Sequence, residues 1–146
     1  MARCSSAGRG ATNLPTATAG PGLFAVASHR LRLREVGVFN TTTTAFVVAL
    51  QRCTATGTQA GSLTETCDDD PVYTPIGNTF TSMSTAATTT GAPARQASVG
   101  AAIGAGVIWT FGDNGLVIPE GTANGVILNL PTGTGQFFDF YLVWDE

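Results

Sequence analysis

The stretch from Gln136 to Trp144 reads Gln-Phe-Phe-Asp-Phe-Tyr-Leu-Val-Trp, and its alternation is that of a β-strand. Phe138, Phe140, Leu142 and Trp144 share one face, a row of large side chains that only a core can absorb. Upstream, His29–Asn40 (HRLRLREVGVFN) alternates too, with Leu31 and Leu33 opposite Arg30, Arg32 and Arg34. Its apolar set then slips phase to Val36 and Val38, which predicts a β-bulge near Glu35–Val36. Asn40–Thr44 reads as a hairpin loop. Ala45–Cys53 (AFVVALQRC) follows as a strand, with Phe46, Val48 and Leu50 on one face and Ala45, Val47 and Ala49 on the other.

Working outward, Ser62–Cys67 and Thr79–Ser84 are short strand candidates, while the Thr/Ala/Gly run Thr85–Ala94 carries no assignable pattern. Val107–Phe111 leads into the turn Gly112-Asp-Asn-Gly115, and the short strands Leu116–Ile118 and Val126–Leu130 follow. Closely spaced strands without a helix-period segment predict an all-β chain. The expected architecture is an antiparallel β-sandwich or jelly roll, a single domain over residues 23–146. Residues 1–22, punctuated by Gly8, Gly10, Pro15, Gly20 and Pro21, read as an extended N-terminal arm that only Leu14 can anchor.

Composition excludes much chemistry. Only 12% of the 146 residues are charged, against roughly 25% in an average soluble chain. All seven basic residues are Arg, and without Lys there is no Walker A loop, Schiff-base lysine or Ser–Lys dyad. A single histidine, His29, rules out a multi-His zinc site, and no Gly-x-Ser-x-Gly elbow accompanies the adjacent Ser28. A net charge of −3 argues against nucleic acid as a partner. No apolar stretch is long enough for a membrane helix, and MARCSSAGRG lacks the apolar run of a secretory leader. The expectation is no catalytic residue, no cofactor and no metal.

The remaining polar features read blandly. Asp68, Asp69 and Asp70 lack the alternating spacing of a calcium loop and read as a solvated loop before Pro71. Asp113 serves turn geometry. Cys53 and Cys67 would pair if their strands were neighbours, but three cysteines favour free thiols. Gly100–Gly106 resembles a phosphate loop only superficially; its small residues suit close packing. Arg30, Arg32 and Arg34 are expected to form ion pairs, within the chain or with a neighbour.

The last strand has a second apolar face, Phe137, Tyr141 and Val143, and Val47 repeats the theme. Either the long 54–97 segment covers these residues or another subunit does. The sequence endings carry a resemblance. RLRLREVGVF, AFVVALQR, VIWTF, GLVIPEG, GVILNL and FYLVWDE, in this order, resemble the small jelly-roll head decoration, or cement, proteins of tailed bacteriophages and their prophage relatives. The similarity spans Leu23–Glu146 and consists of strand order rather than a fixed signature.

What the resemblance implies is a non-enzymatic homotrimer made in the host cytoplasm and seated on the virion surface, bound to the major capsid protein. Leu14, Arg30, Arg32, Arg34, Val47, Phe137 and Tyr141 are the expected subunit or capsid contacts. The alternatives are a tail, baseplate or fibre domain in host recognition, and a lectin-like sandwich stacking sugar on Trp109, Tyr141 and Trp144.

Overall fold

A computed structural model describes residues 1–146 and contains twelve strands. One sheet, sheet A, holds β1 (Arg3–Ala11), β3 (Leu31–Asn40), β6 (Thr66–Cys67), β9 (Gly106–Thr110), β10 (Leu116–Ile118) and β12 (Phe137–Asp145). The other, sheet B, holds β2 (Gly22–Phe24), β4 (Phe46–Ala55), β5 (Gln59–Ser62), β7 (Asn78–Met83), β8 (Thr88–Val99) and β11 (Gly125–Thr132). Every strand pair is antiparallel, and the two sheets stack as a β-sandwich. Sheet A runs β10-β3-β12-β1-β6, with β9 on the same edge of β3 as β10; sheet B runs β5-β7-β2-β11-β4-β8.

The alternating rows meet between the sheets. Phe138, Phe140, Leu142 and Trp144 from β12 pack with Phe46, Val48 and Leu50 from β4 and with Leu31, Leu33, Val36 and Val38 from β3. Each of these large side chains contributes about 1.5–3 kcal/mol by leaving water. The bulge lies at Arg34: Trp144 pairs with Leu33 and Val143 with Glu35, so β3 has one extra residue there. That insertion lets Leu33 and Val36 both face inward.

Three expectations change. Residues 1–22 are not an arm, because β1 pairs with β12 along its whole length and with β6 at Cys4 and Ser5. Small residues are what this position requires. Ser6, Gly8 and Gly10 face inward, where Leu63, Thr81 and the Phe138 ring already fill the space. Asn40–Thr44 is not a hairpin loop but an arch from sheet A to sheet B, since β3 and β4 do not pair. The buried Asn40 side chain builds that arch, donating to the Thr44 and Gly100 carbonyls and accepting from Thr42 N at 2.8 Å each. The unassigned Thr-rich run begins β8, the edge strand beside β4.

The cysteines also pair differently. Cys4 and Cys67, opposite one another on β1 and β6, form a disulfide across 63 positions of sequence, and Cys53 is the buried free thiol. Burial pushes the Cys53 thiol up to about 12.

Two outcomes check this architecture. Deleting Ala2–Ala11 removes one of the two partners of the last strand, so the truncated chain is expected to show no cooperative thermal transition; a dispensable arm would leave it intact. Replacing both Cys4 and Cys67 by Ala should lower unfolding free energy by about 4 kcal/mol on the loop-closure model, read as a fall in denaturation midpoint.

Candidate functional site: the open face of sheet A

The two sheets have unlike outer faces. On sheet B, Phe24, Cys53, Phe80, Met83 and Ile127 form a second apolar cluster, sealed by Leu14, Ala19 and Ala87. Residues 14–21 lie over this face, fixed where Leu128 N donates to the Pro21 carbonyl at 2.7 Å and Ala87 N to that of Thr18 at 3.1 Å. The chain thus covers one face itself. Its N-terminal segment and the residues before β8 supply the cover.

Sheet A has no such cover. Its outer face carries Phe39, Ile108, Phe137, Tyr141 and Val143, of which Ile108 is 52% and Phe137 51% exposed. Gly37 stands between Ile108 on β9 and Tyr141 on β12 in register, and a Cβ there would meet the Tyr141 ring at 2.1 Å. Gly106 is the equivalent position under Phe39, whose ring a Cβ would meet at 2.4 Å. Both rings therefore lie flat across glycine backbone rather than standing upright. They stack on each other with centroids 6.3 Å apart and planes at 23°. The result is a low aromatic platform, bordered by Phe137 and Ile108.

Polar groups border the platform and, at Asp139, interrupt it between Phe137 and Tyr141. The Tyr141 hydroxyl donates to Glu35 Oε1 at 2.6 Å. Burial, helped by that acceptor, pushes the phenol up to about 12. Asp139, between Phe137 and Tyr141 on β12 and opposite Phe39, pairs with Arg9 at 2.8 Å, both exposed, so the charges within the face cancel each other. The Asp139 hydrogen bond raises the Arg9 guanidinium above its usual range. At the far end Asp145, only 4% exposed, accepts from Arg3 Nε at 3.1 Å and Arg34 Nε at 2.5 Å. A carboxylate this buried depends on those cations. The hydrogen bond to Asp145 holds the Arg3 guanidinium above its usual range.

The seven residues expected at an interface are not brought together. Phe137 and Tyr141 belong to the open face. Val47 lies on sheet B and donates its N–H to Thr132 Oγ1 at 3.0 Å. Leu14 packs against both apolar clusters of its own chain. Arg34 also binds the Gly112 and Asp113 carbonyls and Arg32 that of Asn114, so both hold the β9–β10 turn to β3. Arg30 precedes the strand and is exposed. Phe39 and Ile108 were missed as face residues; their place beside Gly37 and Gly106 across three strands has no local signature.

Other candidates find local partners. Asp68 accepts from Ser5 Oγ, Asp69 from Arg3 N and Asp70 from Val72 N, at 2.9–3.1 Å. Ser28 Oγ and the His29 Nδ1 stand 3.0 Å apart at an exposed turn. Trp109 and Trp144, two of the three rings a sugar would stack on, are core residues at 8% and 0% exposure. No helix is long and apolar enough to cross a membrane.

No family model, curated protein or solved structure matches this chain.

The hydroxyl of Tyr141 gives a direct test of the platform. Its folded pKa lies above the ordinary value of 10, and so does that of Tyr73, raised by burial and by Glu146. A raised pKa contributes stability that is complete below pH 10 and lost as pH rises through the folded value. Phenolate absorbance of Tyr73→Phe should accordingly titrate near 12 in the folded state, shifting to near 10 in denaturant. Tyr141→Phe should flatten the alkaline fall in stability between those limits.

Proposed function

We propose that this chain is a non-enzymatic virion protein that binds the outer surface of a phage capsid and stabilises the head, as a homotrimer. The observation that carries the proposal is the asymmetry of the sandwich. One outer face is sealed by the chain's own residues, and the other presents aromatic and aliphatic side chains around a single neutralised ion pair. Exposed aromatic and aliphatic side chains gathered on one sheet face are characteristic of a surface that another protein covers. The major capsid protein is the partner that the sequence resemblance implies, and the trimer likewise comes from that resemblance.

Strand order supports the jelly-roll part of the reading. β1-β12-β3-β9 in one sheet and β2-β11-β4-β8 in the other are the pairings of two interlocked Greek keys. β5, β6, β7 and β10 are additions to that plan, three of them inserted between β4 and β8. Viral capsid and lectin domains both use this architecture. The burial of Trp109 and Trp144 favours the first over a sugar-stacking site.

Contacts repeated over a shell need only be individually modest, since each copy adds its own small resistance to internal pressure. Replacing Ile108 and Phe137 by Asp places charge on the platform while touching no core residue. The double variant should keep the wild-type melting temperature within a few degrees and lose at least about tenfold in occupancy on purified heads, measured by quantitative mass spectrometry of gradient fractions. Recovery of the chain with separated tails, or undiminished head occupancy of the variant, would overturn the assignment.

A further inference from the structure

At one end of the sandwich the strands β1, β6 and β12 deliver three metal-ligand side chains to a single corner. The sulfur atoms of Cys4 and Cys67 and a carboxylate oxygen of Glu146 all lie within 4.8 Å of one another. Pairing explains the convergence. Cys4 is opposite Cys67 on one side and Trp144 on the other, and Glu146, two residues beyond Trp144, exchanges both backbone hydrogen bonds with Ala2. Both cysteines are buried, at 0% and 8% exposure.

The carboxylate is already oriented. Ile76 N donates to Glu146 Oε1 at 2.8 Å, while Gly77 N and Trp144 Nε1 donate to Oε2 at 2.9 Å each. Three donors fix the group yet leave lone pairs on its oxygens, which is how a protein positions a ligand from behind. Tyr73, 36% exposed, lies close enough to the same carboxylate for Glu146 to help raise its phenol.

We propose that Cys4, Cys67 and Glu146 form a redox-gated zinc site: a disulfide in the oxidised chain, and a Zn²⁺ centre of two thiolates and one carboxylate in the reduced one. Two sulfurs with one oxygen select a borderline-soft ion such as Zn²⁺ over Mg²⁺ or Ca²⁺, which take oxygen ligands throughout. Three protein ligands leave a fourth position for water. Entry requires a two-electron reductant, a pair of thiols in the cell. Two thiols reduce the disulfide, becoming one disulfide themselves and leaving two Cys–SH groups. Zn²⁺ then displaces both thiol protons to solvent as the two S–Zn bonds form. The corner is cross-linked in either state. Zinc does in reducing surroundings what the disulfide does in oxidising ones. This inference is independent of capsid binding.

The test uses the full chain, reduced with a phosphine, freed of excess reductant under inert gas, and titrated with Co²⁺ as an optical stand-in for zinc. The reduced protein should develop a thiolate-to-cobalt charge-transfer band that an equimolar addition of Zn²⁺ abolishes, and Zn²⁺ should raise its melting temperature. The oxidised protein should show neither effect. Cys53→Ser should bind as the wild type does, and Cys4→Ser with Cys67→Ser should not bind. Glu146→Gln keeps both sulfurs and should weaken cobalt binding by about tenfold or more; it carries the test if the double serine variant fails to fold. No band in the reduced wild type, undiminished affinity in Glu146→Gln, or loss of the band in Cys53→Ser would each overturn the proposal.

Discussion

The pairing of β1 with β12 is the constraint on which the rest depends. Its register runs unbroken from Arg3 opposite Asp145 to Ala11 opposite Phe137, joining the two ends of the chain in one ladder. This places the buried Asp145 carboxylate between Arg3 and Arg34 and brings Cys4 to Cys67, with Glu146 beside both. It also gives the last strand, with its row of Phe138, Phe140, Leu142 and Trp144, a neighbour on each side, β1 and β3. Contacts such as Arg3–Asp145, 142 positions apart, reward the chain only after most of its loop-closure entropy has been spent. The disulfide between β1 and β6 then restrains the unfolded chain and biases it toward that arrangement.

The same topology produces the inequality between the two outer faces. After β1 the chain crosses to sheet B and lays residues 14–21 over its outside before β2 begins, so a second small core forms there. Nothing in the connections returns over sheet A. Tyr141 and Phe39 instead lie on glycines, which spreads apolar area sideways at little height. A flat, neutral, partly aromatic surface loses little on dehydration, since few charged groups must shed water. The sparse charge of the sequence is thus distributed unevenly. Arg9 and Asp139 are paired within this face, and Arg3, Arg34 and Asp145 are tied together at its far end.

Much of the sandwich is legible from local pattern. The inward row of the last strand, the Phe46, Val48 and Leu50 row of Ala45–Cys53 and the phase slip in Leu31–Val38 all appear as core contacts, because a buried sheet face imposes period two on whatever sequence forms it. The first strand escapes this logic. Arg-Cys-Ser-Ser-Ala-Gly-Arg-Gly-Ala has no apolar row, since the space inside it is already taken by Phe138, Leu63 and Thr81. Weak propensity and abundant glycine resemble a mobile segment, and tertiary packing overrides them. Arches are misread for a related reason: Thr-rich and Gly-rich connections look alike whether the chain turns back beside itself or crosses to the opposite sheet.

By itself, then, the sequence determined the fold class, the side chains of the principal core and the chemistries that are unavailable, because these follow from periodicity and composition. Only the tertiary structure decided which cysteines meet, which face remains open and which residues share it. Each of those depends on strand order and register between segments far apart in the chain. Phe39, Ile108 and Tyr141 become neighbours through three strands, and Cys4, Cys67 and Glu146 through another three. Backbone hydrogen bonds set that order, and they carry no side-chain signature.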